Sequence, residues 1–76
     1  MSSFADSVKK ELRKQSGMLT KDDIEKILFD VKDDIGSSPV LQEISVAVEA
    51  DQFEAYTVNE AVELVERVER VLMLDK

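Results

Sequence analysis

The chain has 76 residues, 43% of them hydrophobic and 36% charged, with neither Cys nor His and a formal net charge of −7 at pH 7. These numbers predict one small acidic domain, residues 1–76, with a thin stability margin. They exclude disulfides, thiolate or imidazole metal sites, thiol catalysis and histidine acid–base chemistry.

The sign of the charge is unevenly placed. Residues 1–21 hold five bases and two acids, whereas the remaining 55 hold five bases and fifteen acids. From Asp33 to Glu66 no Lys or Arg occurs, and nine carboxylates do. Such acidity argues against direct nucleic-acid binding, which requires phosphate neutralisation. It fits solubility or a partner protein with a basic surface. No apolar run approaches the roughly 18 residues of a membrane span, so no membrane contact is expected. The segment MSSFADSVKKELRKQ lacks an apolar core with a small-residue cleavage site. It therefore predicts no secretory signal and a cytoplasmic location.

In chain order, the first helix is predicted from Ser3 to Gln15, with Ser3 as cap and Asp6 three residues on. Phe4, Val8 and Leu12 form its apolar stripe, and Lys9, Lys10, Arg13 and Lys14 crowd the rest of its surface. Ser16-Gly17 ends it. Thr20 caps the second helix with Asp23 at the third helical position, and Leu19 and Ile24 are placed for a hydrophobic staple. Ile24, Ile27, Leu28, Val31 and Ile35 then follow helical spacing up to Gly36.

Residues 40–57 admit two readings. Ser38-Pro39 is a good helix start, after which Val40, Leu41, Ile44, Ala47 and Val48 would share a face. Alternation competes, with Ile44, Val46 and Val48 inward and Glu43, Ser45, Ala47 and Glu49 outward. A helix would leave Val46 and Phe53 opposite its apolar side, so the alternation is preferred. Phe53 to Thr57 then reads as a return strand. Thr57-Val58-Asn59-Glu60 is a capping box that opens the last helix. Its seam runs through Val58, Ala61, Val65, Val68 and Leu72, widened by Leu64 and Val71. Glu63–Arg67 and Glu66–Arg70 have the favourable i, i+4 order. The expected fold is therefore a helix-rich α+β domain, ααββα with a two-stranded hairpin, and the alternative is an all-α four-helix bundle.

The search for chemistry is mostly negative. Two glycines cannot build the usual phosphate-cradling loop. Asp30, Asp33, Asp34 and Gly36 suggest a calcium loop, but with Gly36 at position 6 the ligand positions fall on Val31, Ile35 and Gln42. Neither catalysis nor a cofactor nor a metal is expected.

Asp34-Ile35-Gly36-Ser37-Ser38-Pro39-Val40-Leu41 is similar to the Asp-Leu-Gly-x-Asp-Ser-Leu motif of acyl carrier proteins, whose serine carries phosphopantetheine. The resemblance implies modification of Ser37 or Ser38. It departs from the motif where Pro39 takes the place of the modified serine and Ser38 that of the preceding Asp.

The expected function is a non-enzymatic acidic protein-binding module. One form of it is a small phage- or plasmid-type inhibitor that mimics nucleic-acid charge. In a strand, alternate side chains stand roughly 6.6–6.8 Å apart, near phosphate spacing. An oligomeric assembly protein is an alternative. Glu43, Glu49, Asp51, Glu54, Glu60 and Glu63 are the candidate partner-binding residues. Ala61, Leu64, Val65, Val68, Val71 and Leu72 are candidates for self-association as a homodimer, because the apolar side of the last helix is broad.

Overall fold

The computed structural model describes residues 4–36 and 38–74, excluding the side chains of residues 73 and 74. Among the described residues, four helices and one two-stranded antiparallel sheet follow each other as α1 (Phe4–Arg13), β1 (Leu19–Thr20), α2 (Lys21–Ile35), α3 (Pro39–Ala50), β2 (Ala55–Tyr56) and α4 (Val58–Leu74). The helix-rich α+β class is the one the composition and periodicity predict.

The strands are not where alternation placed them. Residues 43–49 lie inside α3, and the return strand shrinks to Ala55–Tyr56. Its partner comes from the other end of the chain, with Leu19 opposite Tyr56 and Thr20 opposite Ala55. Packing decided the choice: as a helix, the segment buries Ile44 and Val48 completely and lays Val40, Leu41 and Ala47 against the core. Ser38 and Pro39 start α3 as cap and first residue, and the Ser38 hydroxyl accepts from Val40 N at 3.3 Å.

Both internal capping boxes form. The Thr20 hydroxyl accepts from Asp23 N and the Asp23 carboxylate from Thr20 N; Thr57 and Glu60 repeat the arrangement. The staple pair Leu19 and Ile24 is buried. α2 stops at Gly36, whose φ of 98° suits glycine alone among common residues and lets its N–H reach Lys32 O. The Ser3 cap and Ser37 lie outside the described residues. Ile35, assigned to the core by periodicity, is 49% exposed, because α2 runs one turn beyond its packed face. Val62, absent from the expected seam, is buried. Among the described residues, neither Glu63–Arg67 nor Glu66–Arg70 closes to an ion pair.

The molecule repeats itself. Helix–strand–helix occurs twice, and matched positions carry matched roles. Val8 and Leu12 correspond to Ile44 and Val48, all four fully buried. Leu19 corresponds to Tyr56, Thr20 to Thr57, Asp23 to Glu60 and Leu28 to Val65. The two halves join through the β1–β2 ribbon, and the buried side chains of both form one cluster. α1 packs on α2 and α4, and α3 packs on α4 and α2. Matched residues also tie each half to the other. Lys9 reaches Glu69 on α4 at 2.7 Å, and the Ser45 hydroxyl donates to Glu25 on α2 at 3.1 Å. The Glu69 hydrogen bond holds the Lys9 ammonium above its ordinary pKa against the opposing effect of burial.

Candidate functional site

α3 contains no base, and its last turn has none to answer its C-terminal carbonyls. The cation comes instead from the start of α2. Lys21 Nζ donates to Asp51 O at 2.6 Å and to Glu49 O at 3.4 Å. Asp51 caps α3, and its carboxylate accepts from Phe53 N at 3.3 Å, turning the chain toward β2. Two of the six predicted partner-binding acids are thus occupied structurally, since Asp51 turns the chain and Glu60 completes the α4 capping box. Glu43, Glu49, Glu54 and Glu63 are exposed. On a helix Glu43 and Glu49 lie about 9 Å apart along the axis and roughly 120° apart around it, so the phosphate-like strand spacing is absent.

Among the described residues, no group of three acidic side chains is arranged to hold a metal ion, and no helix is long and apolar enough to cross a membrane. Ser38, one of the two serines in the carrier-like motif, is half-buried, and its hydroxyl accepts from the first turn of α3.

The candidate self-association residues divide. Ala61, Leu64 and Val65 belong to the protein's own core. Val68 and Leu72 are half-buried and Val71 is 58% exposed. These three, with the edge of Leu64, form one wall of a groove of about 460 Å³ between α3 and α4. Val46, Ala47 and Ala50 form the facing wall, and Glu43, Asp51 and Arg67 supply its polar groups. Val46 is 56% exposed, so the residue that argued against a helix is the one that opens this groove.

Beside the Asp51 end, Tyr56 is 2% exposed and its hydroxyl lies by the Asp51 carboxylate. The exposed Phe53 ring meets the Tyr56 ring edge-on at 6.3 Å. Burial, and then the charge of Asp51, push the phenol above its ordinary pKa, and Arg67 opposes them weakly. The sign follows directly. A raised folded-state pKa gives stability that is complete below the unfolded value near 10 and is lost as pH rises through the folded value. Tyr56 is the only tyrosine, so absorbance at 295 nm reads it alone. We expect its midpoint above 10 in the folded protein and near 10 in urea. Equal midpoints would show an exposed phenol.

No protein-family model matches the chain, and no curated protein or solved structure matches it.

Proposed function

We propose that the protein is a non-enzymatic binding module that recognises a basic surface on another protein. The recognising region is α3, the connection through Glu54 and the first turns of α4. The observation that carries this reading is the stretch without bases from Asp33 to Glu66, whose Glu43, Glu49, Glu54 and Glu63 are exposed. Lys21, brought to the end of α3, donates to backbone carbonyls rather than to those carboxylates, and Arg67 is the base that lines the groove beside Asp51. Clustered charge of one sign accelerates encounter with an opposite surface.

The test begins with a partner captured from native lysate, identified by mass spectrometry and purified. Its association rate with the wild type should fall several-fold as salt rises from about 0.05 to 0.5 M, because the Debye length shortens. E49Q/E54Q/E63Q should keep its fold, since exposed charges add little stability. The variant should associate several-fold more slowly at low salt, with a flatter salt dependence. Salt-insensitive association, or an unchanged rate in the variant, overturns the reading.

A further inference from the structure

The internal repeat provides a control for the α3–α4 groove. Position for position, Val46 and Ala50 on α3 match Lys10 on α1 and Lys14 in the turn just after it, and Arg67 and Val71 on α4 match Asp30 and Asp34 on α2. The four matched positions of the first half are charged and exposed. The fold therefore does not require apolar residues there. In the second half they are apolar at three of the four places, and two of these, Val46 and Val71, leave more than half of their surface in solvent. Valines exposed to this extent add little to the protein's own stability and remain available to be buried by something else.

We propose that this groove docks a short amphipathic helix of a partner protein, with aliphatic side chains on one stripe and Lys or Arg beside them. The inference rests on the protein-binding reading above and specifies how such a partner is held. Three features fix the occupant. The first is length: Glu43 to Asp51 on one wall and Leu64 to Leu72 on the other each span about 12 Å, or roughly two helical turns. The second is spacing, since Leu64, Val68, Val71 and Leu72 fall at i, i+4, i+7 and i+8, a ridge that receives a helix bearing i, i+3, i+4 and i+7 anchors. The third is charge. Glu43 and Asp51 stand at opposite ends of the α3 wall against the single base Arg67 on the facing wall, so the lining keeps a negative excess that favours basic residues beside the apolar stripe. A second copy of the chain fits less well. A groove about 12 Å long offers far less than the roughly 800 Å² per partner of a stable interface, and two chains of net charge −7 repel.

The probe is a fluorescent peptide of about 14 residues with Leu at i, i+3, i+4 and i+7 and Lys elsewhere; a scrambled version of equal composition cannot gather its leucines on one face. Titrations by polarisation would use the wild type, V46Q/V71Q and E49Q/E54Q/E63Q, with circular dichroism confirming each fold. Val46 and Val71 are exposed, and Gln is a good helix former, so the double variant should fold. The amphipathic peptide should bind the wild type more tightly than the scrambled one. V46Q/V71Q should weaken the amphipathic peptide about tenfold and leave the scrambled peptide unchanged. Equal loss for both peptides, or no loss, overturns the groove assignment. A wild-type dimer in sedimentation that V46Q/V71Q dissociates also overturns it, in favour of a second copy. The charge variant separates the two readings. If it weakens both peptides while V46Q/V71Q weakens neither, recognition of basic partners stands and the groove fails; if it weakens neither peptide, the charge reading fails on its own.

Discussion

Ile44→Ala should destabilise the protein by about 2–4 kcal/mol, and Val46→Ala, two residues further on, by no more than about 0.5 kcal/mol. In a strand these two side chains would share a face and give similar results. In α3 they do not, since Ile44 is 0% exposed and Val46 is 56% exposed. Removing most of the Ile44 side chain loses its transfer free energy and leaves a cavity in the core. Removing that of Val46 takes atoms already half in water and replaces a β-branched residue with a better helix former. The total stability of a 76-residue domain is about 4–11 kcal/mol, so the first change removes a large share of it. Urea unfolding followed by circular dichroism would measure both. At roughly 4–8 °C per kcal/mol, Ile44→Ala should lower Tm by about 10–30 °C. Equal effects at the two positions would return residues 43–49 to a strand.

The second large effect is expected on α4. Val65→Asp should abolish cooperative unfolding at 25 °C, because Val65 is fully buried in the apolar core. An unpaired buried charge costs several kcal/mol, comparable to the whole margin. Val71→Asp, two turns nearer the C-terminus, should stay folded. It should lose about 1 kcal/mol, from the lower helix propensity of Asp and from a negative charge near the helix C-terminus. The contrast separates the part of the helix that builds the core from the part that faces the groove. If Val71→Asp also unfolds the protein, the groove wall belongs to the core.

The elements that were legible in the sequence are those whose signals are local. Thr20 with Asp23, and Thr57 with Glu60, are complete within four residues, and both form as expected. The stripe of α1 and the first four apolar positions of α2 were equally readable, because one helix face meets one core. α3 was ambiguous for a physical reason. An exposed groove valine at position 46, between buried residues at 44 and 48, imitates alternation, and only packing from α2 and α4 separates the two readings. β1 was not readable at all. Two residues carry no periodicity, and their partner lies about 36 positions away. The acidic candidates Glu43 and Asp51 were visible from charge, but their place at the two ends of a groove depends on how two helices lie together. Val46 looked like core for the same reason. A residue that breaks its local pattern is where a functional surface is most often found.

The repeated helix–strand–helix halves have a consequence for the integrity of the chain. Each half has about 36 residues, below the roughly 40 at which a domain without disulfides or metals usually folds alone. Their apolar faces are buried against each other and their ribbon strands pair across the boundary, so each half serves as the missing template of the other. A proteolytic nick between α2 and α3 would leave two fragments disordered apart and native together, with a melting temperature that depends on concentration. The same complementarity lets the second half of one molecule complete the first half of another. Exchange of halves between two molecules would keep the native contacts, so a dimer formed at high concentration by this route should show native circular dichroism.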